Sequence, residues 1–200
     1  ISITPERTRE VRPVFSWQEV PLVVHYELQV ATSLIVVFGT TFSPNADLPE
    51  GVIFWQVRSV DGAGNLSAFA TSSFIIDITP PPSITGLTAS VATGSVMIGW
   101  SPVANTDGDF KEYRFYRHTI FFSNVSGRVP IATSSNISQT AYVDVSVNPE
   151  ELFYYAVTAA DTAGNERKNV ASIPSRADLV LGPEIYVVQG GREVAPSDFR

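Results

Sequence analysis

Residues 61–65 read Asp-Gly-Ala-Gly-Asn, and residues 161–165 read Asp-Thr-Ala-Gly-Asn. A strand-like run precedes each: Phe54-Trp55-Gln56-Val57-Arg58-Ser59-Val60 before the first, Tyr154-Tyr155-Ala156-Val157-Thr158-Ala159-Ala160 before the second. Two readings compete. Paired Asp and Asn residues supply calcium ligands or acid–base carboxylates; the same letters also build a tight turn. The turn accounts for each position. The Asp side chain accepts backbone N–H groups just after it, Gly64 and Gly164 suit a left-handed backbone, and Asn65 and Asn165 tolerate similar geometry. A calcium ion takes about six to eight oxygens, and one such turn offers only a few. The pentapeptides are therefore read as one turn written twice, in two copies of one fold.

Flanking landmarks repeat as well. Trp17 closes an apolar stretch and is followed by Gln18-Glu19-Val20; Trp100 does the same before Ser101-Pro102-Val103. Trp55 lies six positions before Asp61, and Tyr155 six before Asp161. Trp17 to Trp55 spans 38 positions and Trp100 to Tyr155 spans 55, so the second copy is longer by 17. The polar stretch His118–Ser138 is the natural place for the excess. Trp17, Trp55 and Trp100 fall at core-facing strand positions.

Between these landmarks the chain alternates at period two, as in His25-Tyr26-Glu27-Leu28-Gln29-Val30 and Val96-Met97-Ile98-Gly99-Trp100. Clusters of Pro, Gly, Asn, Asp and Ser separate the runs, and none carries a helical period with a cap. The fold class is all-β, with strands spaced as in a sandwich. Thr79-Pro80-Pro81-Pro82 breaks the pattern, because consecutive prolines hold an extended geometry that no central strand accepts. The expected units are residues 1–79, residues 80–182, and a tail at 183–200. A short, semi-rigid join predicts an elongated rod.

Composition excludes whole classes of function. A net charge of −7 and a pI near 4.8 argue against nucleic acid or an anionic membrane surface as partner. The sequence holds no cysteine, which removes disulfides, thiolate metal sites and cysteine nucleophiles. No apolar run nears the roughly 20 residues of a membrane span. The chain begins with Ile and shows no signal peptide, which reads as a mature product or a piece of something longer. Catalysis finds no nominee: His25 and His118 fall in different units, and neither a nucleophile elbow nor a phosphate loop occurs. His25, alternating with Tyr26, is expected to face solvent. No cofactor is called for.

The stretches Tyr26–Ser33 (YELQVATS), Leu48–Asn65 (LPEGVIFWQVRSVDGAGN), Ile98–Val103 (IGWSPV) and Tyr154–Asn165 (YYAVTAADTAGN) resemble phrases of fibronectin type III-like and bacterial Ig-like domains. The resemblance spans about residues 10–180 and implies two tandem antiparallel β-sandwiches. It further implies a secreted or cell-surface protein that is a spacer, adhesive or assembly module, or the accessory region of a secreted carbohydrate-active enzyme. Partners would be a protein or glycan at a cell surface, or further copies of the chain. Such domains often place a tyrosine near the start of the sixth strand, its hydroxyl pinning a loop. Here those positions hold Ile53 and Phe153, which predicts a loss of local rigidity.

Four features remain. Asn105-Thr106-Asp107-Gly108-Asp109 alternates oxygen-bearing side chains like the opening of a calcium loop, but it lacks the later bidentate Glu. Asn105, Asp107 and Asp109 are thus weak calcium candidates. Phe121 and Phe122 are adjacent in a polar loop, so one is expected outside as a contact surface for a sugar or a neighbouring subunit. Asn65, Asn124 and Asn136 open N-x-S/T sequons in turns, which makes them candidate glycosylation sites. Ile185-Tyr186-Val187-Val188 reads as one strand with no partner of its own: the first strand of a further domain, a linker packed against the second unit, or a strand donated to another chain's sheet edge.

Overall fold

The computed structural model describes residues 7–92, 94–105, 108–148, 151–175, 187–189 and 192–194. They form no helix. In chain order the strands are β1 (Arg7–Thr8), β2 (Phe15–Ser16), β3 (Val23–Val30), β4 (Ser33–Val37), β5 (Thr41–Phe42), β6 (Gly51–Asp61) and β7 (Ala70–Ile76) in the N-terminal half. The C-terminal half holds β8 (Thr85–Ala92), β9 (Ser95–Ser101), β10 (Phe110–His118), β11 (Ala132–Ser134), β12 (Ala141–Asp144), β13 (Phe153–Asp161) and β14 (Ile173–Ser175). Two short strands follow, β15 (Val187–Gln189) and β16 (Arg192–Val194).

In the N-terminal half a five-stranded sheet, ordered β1-β7-β6-β3-β4, faces the two-stranded β2-β5 ribbon. Only the β1–β7 pair is parallel. The alternation predicted from sequence is visible in β6, where Ile53, Trp55 and Val57 are buried while Val52 and Phe54 face out. Phe15 on the ribbon is fully buried against Trp55 and Phe74. A side chain of this kind contributes about 1.5–3 kcal/mol by burial.

The C-terminal half repeats the plan. A four-stranded sheet, β11-β10-β13-β14, faces a three-stranded one, β12-β9-β8. Trp100, Tyr113, Phe115, Phe153 and Tyr155 centre a second core that shares no residue with the first. Trp55 and Trp100 are buried and Trp17 packs against the first core, as expected from sequence.

Three expectations need correction. The long segment after β10 is not simply polar loop: Phe122 and Val125 join Tyr116 and Ala156 in a small third cluster. Backbone hydrogen bonds fasten it, from Val125 N to Lys168 O and from Val170 N to Ser123 O. Rigidity lost at Ile53 and Phe153 is supplied by strand tyrosines elsewhere. The Tyr26 hydroxyl accepts a hydrogen bond from Val20 N at 2.8 Å, and that of Tyr113 accepts one from Val103 N at 3.0 Å and donates to Ile137 O. Finally, Val187 and Val188 do have a partner in their own chain, since β15 pairs antiparallel with β16. Ile185 and Tyr186 lie outside the described residues.

Candidate functional site

The two Asp-x-Ala-Gly-Asn segments link β6 to β7 and β13 to β14, and their local geometry is nearly the same. Asn65 N donates to Asp61 Oδ1 at 2.9 Å, and Asn165 N to Asp161 Oδ1 at 2.8 Å. The side-chain amides donate to the other carboxylate oxygen, at 2.8 Å for Asn65 and 3.0 Å for Asn165. Gly64 and Gly164 stand at φ values of 86° and 90°, a conformation that costs other residues energy. The Asn65 side chain, foremost among these donors, lowers the Asp61 carboxyl below its usual range.

Their surroundings differ. Asp61 and its neighbours lie at the surface, whereas Asp161 and Asn165 are buried where the two halves meet. There the second hydrogen of the Asn165 amide goes to Asp77 O at 2.8 Å. Asp77, Asp109 and Asp161 bring carboxylate oxygens within 4.8 Å of one another. Like charges held so close need a counter-charge. Arg7 provides it, its Nη1 lying 3.1 Å from Asp77 and 3.2 Å from Asp109. Burial, then a hydrogen bond shared with Asp77, raises the Asp109 carboxyl against the pull of Arg7. Arg9 reaches Gly164 O and Arg167 reaches Pro81 O across the same junction.

Of the weak calcium candidates among the described residues, Asp109 reaches this cluster and Asn105 does not. Asn105 spends its side-chain oxygen on Asp109 N and Phe110 N, each at 3.0 Å, which caps the start of β10. Asp107 lies outside the described residues. The three carboxylates supply part of the shell of about six to eight oxygens that calcium takes. The positive charge among them is a guanidinium.

A second polar centre lies beneath the second turn. Glu166, with its side chain fully buried, receives Tyr116 Oη at 2.7 Å, Thr158 Oγ1 at 2.6 Å, and ion pairs from Arg114 and Lys168. Burial by itself raises a carboxyl; here these donors outweigh it and hold Glu166 at about 2. Burial and the adjacent Glu166 push the Tyr116 hydroxyl up to about 12. Asp144 is handled likewise, its burial offset by Ser146 and Arg117, with Tyr155 Oη donating at 3.2 Å. Every acceptor in these networks is engaged by a neighbour, an arrangement suited to holding strands in place rather than to moving protons.

The other sequence-predicted positions are scattered. His25 is half-covered by Phe38, and His118 in the other half accepts a hydrogen bond from Ile120 N, two residues on. Phe121 is 59% exposed and Phe122 only 4%, beneath the guanidinium of Arg128. Asn65 and Asn124 commit an amide hydrogen to Asp61 and Asn169, while Asn136 caps its turn through its oxygen. Sequence reasoning missed Arg7, Asp77 and Glu166. The signal for Asp77 was present, an acid ending an apolar strand just before three prolines. Nothing local marks Arg7.

Solved structures with this architecture settle the class. Fibronectin(III)-like modules of Clostridium thermocellum CbhA align over 91% of this chain and 93% of theirs, with a TM-score of 0.59 and 14% identity. Domains A168–A170 of titin align over 86% of this chain and 61% of that one, with a TM-score of 0.56 and 16% identity. The fold is fibronectin type III-like. In sequence, amylopullulanase of Thermoanaerobacter thermohydrosulfuricus is 34% identical over 117 residues, 58% of this chain. The chain spans only 7% of that enzyme's length. No protein-family model matches it. The fibronectin III-like fold presents loops and turns at the ends of each sandwich, and the Asp161–Asn165 turn with Asp109 is such an end.

Proposed function

We propose that this chain is a non-catalytic spacer of an extracellular protein, two fibronectin III-like sandwiches in series whose junction sets their relative direction. The observation that carries this reading is the junction itself. Arg7, Asp77, Asp109 and Asn165 are spent on joining the halves, at distances of 2.8–3.2 Å. A flexible tether would leave such groups in water. Small-angle X-ray scattering on the wild type and on Arg7→Ala/Asn165→Ala tests it. The wild type should give a narrow, extended distance distribution and the double variant a broader one; equal breadth in both overturns the proposal.

The enclosing protein is read as a secreted carbohydrate-active enzyme, favoured over a free-standing adhesin by the match to amylopullulanase. On that reading the spacer separates a catalytic domain from other modules and does no chemistry of its own. Release of reducing sugar from pullulan or starch by the chain alone would overturn the non-catalytic assignment.

A further inference from the structure

The register places the two halves in residue-by-residue correspondence. Val23 opposes Asp61 and the pairing then skips to His25 and Val60; Phe110 opposes Asp161 and the pairing skips to Glu112 and Ala160. Val23 therefore corresponds to Phe110, and Leu22 to Asp109. The tyrosine tethers agree, since Tyr26 binds Val20 N as Tyr113 binds Val103 N. Val20 thus corresponds to Val103, and Asn65 to Asn165.

In the C-terminal half this end of the sandwich is occupied. Val103 and Asn165 are each 8% exposed, and residues Thr79–Pro82 border the same cavity as Val103, Asp109 and Phe110. In the N-terminal half the same positions are bare. Val20 is 45% exposed, Leu22 is 93% exposed, and Asn65 lies open. One hydrogen of the Asn65 amide goes to Asp61; the other, which Asn165 gives to Asp77 O, has no acceptor among the described residues. Leu22 also holds a φ of 64°, a left-handed conformation that a residue other than glycine adopts only at an energetic cost. A strained, fully exposed leucine gains nothing in water.

We propose that the tip formed by Val20, Leu22 and Asn65 is a docking surface for the C-terminal strand end of a preceding β-sandwich. It would receive that strand end as the C-terminal half receives Asp77–Pro82. The inference rests on reading the chain as part of a spacer. The occupant is an extended apolar strand running into a proline-rich segment, with a backbone carbonyl set against the free Asn65 hydrogen. It differs from the internal junction in one respect. Leu22 replaces Asp109, so the occupant meets it with an apolar side chain and not with an arginine.

The experiment supplies such an occupant from the protein itself, by joining a copy of residues 7–83 ahead of Ile1 of the full chain. Amide exchange at Leu22, Val23 and Asn65 is compared in the two chains. The near-ultraviolet signal of the added copy's tryptophans reports its folding. Exchange should slow at least ~10-fold in the extended chain, and Leu22→Asn, which keeps the left-handed backbone, should restore fast exchange. Unchanged exchange beside a folded added copy overturns the docking surface. If the added copy does not fold, Leu22→Asn and Asn65→Ala are read by sedimentation of the 200-residue chain. Self-association abolished by Leu22→Asn means the tip takes a separate chain, and a monomer with both variants unchanged means it takes nothing; either overturns the proposal. A narrow scattering distribution for the native junction with an unprotected tip sinks only this inference, whereas a broad one sinks the spacer reading as well.

Discussion

One turn appears twice in this molecule with opposite fates. Asp61–Asn65 and Asp161–Asn165 share their hydrogen bonds, their glycine φ and their place after a long central strand. The first stands in water, and the second is buried where it meets Asp77, just ahead of the proline segment that links the halves. Local sequence therefore dictates the shape of a turn and leaves its use open. Use depends on what the rest of the chain sets against it: Asp77, Asp109 and Arg7 in one case, and nothing among the described residues in the other.

The sharpest way to break this comparison lies one residue beyond each turn. Leu66 and Glu166 make equivalent bridges, to Val60 and Ala160. Glu166→Ala removes the acceptor from a buried network and should cost the C-terminal half about 3–5 kcal/mol. Leu66 is half exposed, and Leu66→Ala should cost under ~1 kcal/mol. Urea unfolding followed by near-ultraviolet signal would show it, and equal losses would erase the distinction. Acid gives a second view of the same group. The folded Glu166 carboxyl sits at about 2, below its ordinary value of 4.5. The stability it contributes is complete above 4.5 and disappears as pH falls from there through about 2. That acid-labile component should vanish in Glu166→Gln. Asp109 runs the other way, since its carboxyl is raised and its protonation relieves repulsion in the cluster.

Next in size is the asparagine itself. Asn165→Ala should lose about 1–3 kcal/mol, because Asp77 O and Asp161 Oδ2 lose the side-chain amide that each accepts from. Asn65→Ala should lose under ~1 kcal/mol at the exposed turn. Paired melting curves of the two variants check this, and matching shifts would mean that burial at the junction adds nothing.

Arg7→Ala should cost about 1–2 kcal/mol by leaving Asp77 and Asp109, crowded beside Asp161, without their guanidinium. In that variant, and much less in the wild type, millimolar calcium should recover part of the lost melting temperature and chelator should reverse it. An equal response of both proteins would show that Arg7 does not control the cluster.

The smallest effect concerns Ala31, which opens the two-residue hairpin between β3 and β4 at a φ of 51°. Ala31→Gly should stabilise the N-terminal half by about 0.5–1 kcal/mol through relief of that strain. Loss of stability would mean that Ala31 is held by packing rather than tolerated by the turn.

The sequence alone determined the strands, the two copies, the core tryptophans and the turn chemistry. Each of these follows from a period or a spacing within a few residues. Tertiary structure decided the rest. Arg7 and Asp109 are 102 positions apart and meet only because β1 runs beside β7 and the β9–β10 loop faces the link. Glu166 reads in sequence as one charge among the basic residues that follow it, and folding places it beneath a third hydrophobic cluster where four donors converge. Phe121 and Phe122 are indistinguishable as letters, yet one is buried and one exposed because the loop is pinned at Val125 and Val170. Periodicity shows which face of a strand is buried, because that is a local property. Which charges share a low-dielectric junction depends on chain segments far apart, and no local pattern records it.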